Sequence, residues 1–276
     1  MSPATRGVKY DAMSSSNVPD IRFSGVEKRF TTDKRTVAVI DRTDLCIRGG
    51  EFLVLLGPSG CGKTTMLRMI SGLIRPSSGA IAIGSHDLWL GEQRNSAVTR
   101  ELGVVFQDHN LFPWYSVENN ISLPLKLRGV DKKARLVKAR ELCELVGISD
   151  FETAWPRQLS GGMRQRAAIA RALSYDPRIL LMDEPFGALD AITRDQLNLE
   201  LQRLWLRQRC TVVFVTHSIP EAIFLGDRVL LLSPRPGRID TIVDVPFPRP
   251  RPTSIQVLAE FQAIVQRLRD RLEAIT

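Results

Sequence analysis

One stretch constrains the fold of this chain more than any other: residues 51–73, EFLVLLGPSGCGKTTMLRMISGL. It opens with a near-continuous apolar run, the mark of a strand buried on both faces in a parallel sheet. It breaks into a glycine-rich turn and resumes with apolar residues at helical spacing. A strand, a loop and a helix in that order make one βα unit. The turn GPSGCGKT, Gly57 to Thr64, has the phosphate-loop spacing G-x-x-x-x-G-K-[ST]. In such a loop, made here of Gly57, Pro58, Ser59, Gly60, Cys61 and Gly62, the glycines let successive backbone N–H groups point at a β-phosphate. Lys63 can bridge β- and γ-oxygens, and the Thr64 hydroxyl can ligate Mg²⁺.

The rest of the chain repeats the pattern. ILLMDEP, CTVVFVTH and DRVLLLS are short apolar runs, each ending in polar residues, with helical stretches between them. Strands that alternate with helices predict a parallel α/β sheet, whose ligand crevice lies outside the strand C-terminal ends. Asp183 ends one such strand, where its carboxylate can hold Mg²⁺ through water, and Glu184 follows, placed to orient or deprotonate an attacking water. His217 ends TVVFVT at the same sheet edge and reads as a γ-phosphate contact. Gln107 follows LGVVF, and its side-chain oxygen could reach Mg²⁺. His86 and His109 have no such setting and receive no role.

Composition sets the class and the outer parts. With 43% hydrophobic and 25% charged residues, 276 residues can bury a sizeable core. No apolar run approaches the roughly 18 residues of a membrane span, and the start lacks the apolar centre of a secretory signal. Four scattered cysteines, Cys46, Cys61, Cys143 and Cys210, fit reduced thiols rather than a disulfide frame or zinc site. The net charge of +8 comes from dispersed arginines, so it reads as a solvated surface before it reads as a nucleic-acid face. Residues 1–20 are expected to be a disordered tail. Strand-like pieces begin at Ile21 with IRFSGVEKRF, and an antiparallel β edge is expected there. Between 108 and 165 no strong strand is visible. KKARLVKARELCELVG predicts a helix with Leu136, Val137, Leu142, Leu145 and Val146 on one side, stopped by Gly147. The expected division is a core of 21–107 and 166–245, a helical insert of 108–165, and an outer part of 246–276. That part begins with PFPRPRP, read as an extended linker. It ends in an amphipathic helix with Leu258, Phe261, Val265, Leu268 and Leu272, read as docking on the protein's own surface.

One motif needs a further explanation. LSGGMRQRAAIARAL, residues 159–173, places Ser160, Gly161 and Gly162 at the start of a basic helix, which is a second anion site in one chain. GPSGCGKTT (through Thr65), Gln107, LSGGMRQR, ILLMDEP, GALD and His217 occur in the order and approximate spacing of an ABC-type ATPase. On these motifs residues 21–245 resemble that family, and LSGG separates it from other phosphate-loop NTPases. The resemblance implies two copies packed head to tail, with Ser160 and Gly162 of one closing on the γ-phosphate held by the other. It implies Lys63, Glu184 and His217 as catalytic residues. Phe30 would stack on adenine, Asp190 in GALD would couple the two sites, and Gln107 would pass motion to the helical insert. ATP and Mg²⁺ would be bound, the Mg²⁺ by Thr64, Gln107 and Asp183. Residues 110–121, NLFPWYSVENNI, lie where a membrane subunit would contact the insert, although Phe112, Trp114 and Tyr115 can equally be packing.

FPWYSVENNI, MDEPFGALDAITR, FVTHSIPEAIFLGDRV and SPRPGRI look like the ATPase subunits of nitrate/sulfonate/taurine-type importers, some of which take pyrimidine vitamin precursors. The chain departs from many ABC proteins at Ser218, where they place Asp. The resemblance implies integral permease subunits, an extracytoplasmic solute-binding protein, and a peripheral place on the cytoplasmic face of the membrane. A soluble ABC ATPase acting on nucleic acid or ribosomes is the runner-up. It is disfavoured by the single cassette and the lack of a dense Lys/Arg block, so no nucleic-acid partner is expected. A small-molecule kinase would leave LSGG unexplained.

Overall fold

The computed structural model describes residues 18–32, 35–187 and 189–275. The tail expected over 1–20 therefore lies outside the described residues up to residue 17. In chain order the strands are β1 (Ile21–Thr32), β2 (Arg35–Ile47), β3 (Phe52–Leu56), β4 (Ser78–Ile83), β5 (His86–Asp87), β6 (Trp89–Leu90), β7 (Gln93–Arg94), β8 (Leu102–Val105), β9 (Ile179–Asp183), β10 (Thr211–Val215), β11 (Arg228–Leu232) and β12 (Ile239–Asp244). The helices are α1 (Lys63–Ile70), α2 (Ser96–Thr99), α3 (Val117–Leu127), α4 (Lys132–Leu145), α5 (Gly161–Leu173), α6 (Ala191–Gln208), α7 (Ile219–Leu225) and α8 (Ala259–Ile275).

The main sheet has the order β12-β11-β3-β10-β9-β8 and is parallel except for β12. A second, antiparallel sheet has the order β2-β1-β4-β5. This is the α/β class expected, with its antiparallel edge. The reason is visible in β3, where all five residues are buried. Phe52, Val54 and Leu56 enter a core shared with α3 to α8, whereas Leu53 and Leu55 enter a second core with α1 and the antiparallel sheet. Alternate side chains thus fill opposite layers, which is why the sequence shows one unbroken apolar run.

The helical region after Gln107 is built on small residues. In α4 the buried residues are Ala139, Leu142 and Cys143, continued by Val146 beyond its end, spaced i, i+3, i+4, i+7. Val137, expected on the inner face, is exposed. It follows Leu136 directly, and adjacent residues do not share a helix face. Gly147, with φ +68°, ends the segment. Helix α5 runs unbroken from Gly161 to Leu173, so a division between 165 and 166 falls inside a helix. It packs on α3, α4 and β8 and joins the insert to the sheet.

The proline-rich segment is extended but is not a free spacer. Arg251 is fully buried. Its Nη1 donates to the carbonyls of Ile223 (2.9 Å), Phe224 (2.9 Å) and Gly226 (2.8 Å), at the C-terminal end of α7, and Nε donates to Phe247 O (3.0 Å). A cation among the orphan carbonyls of a helix end satisfies them and complements the dipole. Gln202 of α6 clasps the Arg251 backbone through both its amide atoms, at 2.7 and 2.9 Å. Arg249 pairs with Asp227 at 2.9 Å and stacks over Trp205. Replacing Arg251 by Met, which keeps the apolar stem, leaves those carbonyls unpaired. It is expected to lower unfolding free energy by about 2–3 kcal/mol, read from denaturant titration, and a loss below about 0.5 kcal/mol would contradict the capping role.

Helix α8 docks on this region through Phe261, Val265 and Leu268, with Leu272 partly covered. Leu258 precedes the helix and is exposed. The thiols are all free. Cys46 is exposed and the other three are buried, with burial pushing Cys143 up to about 12 and Cys210 up to about 11.

Candidate functional site

The parallel register brings the predicted residues to one sheet edge. Leu55 and Asp183 both lie opposite Val215, and Val105 lies opposite Met182. Carried two residues further, this sets Gly57 level with His217 and Gln107 level with Glu184. These are the C-terminal ends of β3, β10, β9 and β8, where open α/β sheets bind ligands.

The loop from Gly57 to Gly62 joins β3 to α1. At Gly62, φ is +109° and a Cβ would come within 2.4 Å of Ile40 Cδ1, so only glycine serves there. Lys63 is buried, and its ammonium donates to the carbonyls of Gly57 (2.8 Å) and Pro58 (3.0 Å). The Thr64 hydroxyl donates to Asp183 Oδ1 at 2.8 Å. Asp183 is itself buried, and burial pushes its carboxyl above the usual range. The Thr64 hydrogen bond and the charges of Arg68 and Lys63 oppose this, and Glu184 reinforces it. A buried carboxylate and a hydroxyl, both hard oxygen donors, suit a small divalent cation that would relieve the desolvated charge. Among the described residues no group of three His, Cys, Asp or Glu side chains forms a metal cage.

Glu184 leaves the strand in the left-handed region, φ +43°. Its N–H donates to Val215 O (3.1 Å), and its carbonyl accepts from Gly187 N–H (3.2 Å). Its carboxylate, about a quarter exposed, has Oε2 3.3 Å from His217 Nδ1. The imidazole is more than half exposed, so the pair faces out of the chain.

The Ser160–Gly162 segment forms a separate cluster. Ser160 caps α5, its Oγ accepting from Met163 N–H at 3.2 Å. Asp190 caps α6, accepting from Thr193 N–H (3.0 Å) and Thr193 Oγ1 (2.7 Å), and these bonds hold its carboxyl below the usual range. The two caps adjoin, because a Cβ on Gly162 would lie 3.1 Å from Thr193 Cγ2 and one on Gly161 would lie 3.6 Å from Leu189 Cδ2. No hydrogen bond joins this cluster to Lys63, Thr64, Asp183, Glu184 or His217 among the described residues. Ser160, Asp190 and Gln107 are exposed. Phe30 is also exposed, on β1 of the antiparallel sheet, with Lys28 Nζ 4.8 Å from its ring centre.

The aromatic stretch forms its own cluster. Phe112 lies 5.4 Å from Trp114 and 6.0 Å from Tyr115, and Trp114 remains 63% exposed. Fully buried Asn120 holds this turn. It accepts from Phe112 N–H (2.7 Å) and donates to the carbonyls of Phe112 (3.1 Å), Tyr115 (3.0 Å) and Ser116 (3.1 Å). Sequence reasoning passed over Asn120, and a buried amide four residues after a helix-capping Ser116 carries little sequence signal. It also passed over Thr216 and Glu221, for which the S-x-x-E spacing of Ser218 and Glu221 is the available cue.

The ABC transporter family model matches residues 40–187. An uncharacterised ABC transporter ATP-binding protein of Methanocaldococcus jannaschii is 43% identical over 91% of this chain and 92% of its own length. The aliphatic sulfonates import ATP-binding protein SsuB of Bacillus subtilis is 42% identical over 92% of this chain and 94% of its own. The taurine import ATP-binding protein TauB of Rhizobium johnstonii is 48% identical over 78% of this chain and 79% of its own. A solved dimeric ATP-binding cassette, in a post-hydrolysis state with ADP and Pi, superposes with a TM-score of 0.73 at 31% identity, covering 82% of this chain and 99% of that one. Family model, relatives and solved cassette converge on one assignment: this chain belongs to the ABC transporter ATP-binding family and is an ATPase.

Proposed function

We propose that the chain is the ATP-hydrolysing subunit of an importer for a small anionic solute of the sulfonate type, working as a head-to-tail pair of copies. One observation carries the reading. The residues expected to meet phosphate form two clusters, one at Lys63, Thr64, Asp183, Glu184 and His217 and one at the capped helix start Ser160–Gly162, and among the described residues no hydrogen bond joins them. Two copies that face each other make two complete sites from such halves. The solved relative bound to ADP and Pi is dimeric, which supports this arrangement.

In this reading the backbone N–H groups of the loop and Lys63 hold the β- and γ-phosphates, and Phe30 stacks on adenine. Thr64 and Asp183, with Gln107, hold Mg²⁺, which when bound neutralises charge on the phosphate oxygens. Glu184 takes a proton from the attacking water. His217 donates toward the γ-phosphate. Ser160 and Gly162 of the second copy close over it, and Asp190 links the two sites. The exposed rings of Phe112 and Trp114, with half-buried Tyr115 beside them, are where an integral permease subunit would dock. No helix of the described residues is long and apolar enough to cross a membrane. A solute-binding protein would deliver the solute. The names of the SsuB and TauB relatives support the sulfonate class.

The test is recovery of the tagged chain from gently solubilised native membranes. Co-purification with a multi-span protein and a solute-binding protein, with ATPase activity stimulated by a sulfonate, is the expected result. Recovery with ribosomes or DNA and no integral partner would overturn the transport reading.

A further inference from the structure

His217 stands between two residues that are tied to one buried carboxylate. Glu221, the third residue of α7, is 6% exposed and accepts a short hydrogen bond from the Thr216 hydroxyl. The same hydroxyl oxygen accepts from Ser218 N–H at 3.0 Å. Ser218 also caps α7, its Oγ accepting from Glu221 N–H at 3.4 Å. By spacing, Ser218 and Glu221 form a capping box, in which the glutamate would take the cap residue's own N–H. Here the Thr216 hydroxyl oxygen accepts that N–H, and the hydroxyl donates a hydrogen bond to Glu221. The relay reaches over the histidine from one side to the other.

The far side of the carboxylate faces α6. Arg194 and Asn198 of that helix lie close enough to the carboxylate to favour its charged form. Burial pushes the carboxyl above its usual range, while Thr216, Arg194, Asn198 and His217 pull it down. A desolvated carboxylate is an expensive way to start a helix that Ser218 already caps.

We propose that Glu221 is a positioning residue for the hydrolytic reaction: through Thr216 it fixes the backbone from 216 to 218, and so aims the exposed His217 imidazole beside Glu184. This deepens the proposed function and rests on it. Glu221 touches neither nucleotide nor attacking water. It acts through Thr216, and α6, which begins after its cap Asp190, places Arg194 and Asn198 near the same carboxylate.

The experiment compares wild type with Glu221→Ala, Thr216→Val and Glu221→Gln in steady-state ATPase assays and in NMR of ¹⁵N-histidine-labelled chain, which has three histidines. Glu221→Ala and Thr216→Val should lower kcat about tenfold, the worth of one well-made hydrogen bond to a charged group. KM for ATP should stay within about twofold, because the phosphate loop is untouched. Glu221→Gln keeps an acceptor for Thr216 and should recover most of the rate. The imidazole signals of His217 should move while those of His86 and His109 stay. A fall in kcat that comes with weaker ATP binding, or with movement of all three signals, would reduce Glu221 to a structural cap and overturn the proposal. Unchanged kcat and an unmoved His217 signal in an active protein would overturn this inference alone. A wild-type protein that released no phosphate from ATP would overturn the proposed function with it.

Discussion

Glu184→Gln should lower phosphate release by about a thousandfold while ATP affinity stays within about threefold, since a general base contributes roughly 10²–10⁴ in rate. Glutamine has the size of glutamate and can keep the contact to His217, now 3.3 Å from Oε2. Lys63, Thr64 and the loop glycines, which would carry binding, do not touch the change. What is lost is a carboxylate able to take a proton. The backbone argues that the position is held for a purpose. A non-glycine residue at φ +43° is strained, and it is pinned by its bonds to Val215 and Gly187. The measurements are phosphate release and nucleotide binding on the same preparation. Nucleotide-dependent dimers should accumulate in size-exclusion runs, because ATP would close a pair that hydrolysis no longer reopens. Full turnover in this variant would remove Glu184 from the role of base.

How far such residues could be read in advance depended on the range of the interactions that place them. The β3 run, the loop after it and the polar ends of β9 and β10 are local patterns. A strand buried on both faces is almost wholly apolar, so its end shows sharply, at Asp183 of β9 and just past β10 at His217. Arg251 is the opposite case. Its partners at Ile223, Phe224 and Gly226 lie 25 to 28 residues away, and nothing within a PRP stretch separates a buried guanidinium from a solvated one. Helix α4 was half legible. Its buried face holds Ala139 and Cys143, which are weakly apolar, and the bulkier Val137 suggested the wrong edge. Glu221 was hidden for another reason. Its spacing from Ser218 mimics an ordinary cap, and only the Thr216 hydroxyl between them shows that the carboxylate is used otherwise.

Gly162→Asp should abolish ATP hydrolysis to below about 1% of wild type, because a carboxylate at this helix start would face the γ-phosphate of the second copy. The fold should survive. An acidic residue in the first turn of a helix is favoured by the dipole, and the new Cβ meets only the Thr193 methyl, at 3.1 Å. Gly162→Ala carries the same Cβ without the charge and should lose only about tenfold, which separates charge from bulk. Lys63→Ala should be equally inactive for the opposite reason, since it removes the cation that would hold β- and γ-oxygens. The two dead variants make the decisive mixture. In a head-to-tail pair, the phosphate loop of the Gly162→Asp chain meets the intact Ser160–Gly162 segment of the Lys63→Ala chain, so one site of the two is whole. Random pairing makes about half of the dimers mixed, and about a quarter of wild-type activity should return. If both clusters of one site came from the same chain, every site in the mixture would carry a lesion and no activity would return. Recovery on mixing thus reads directly whether the two anion sites of this chain serve two different nucleotides.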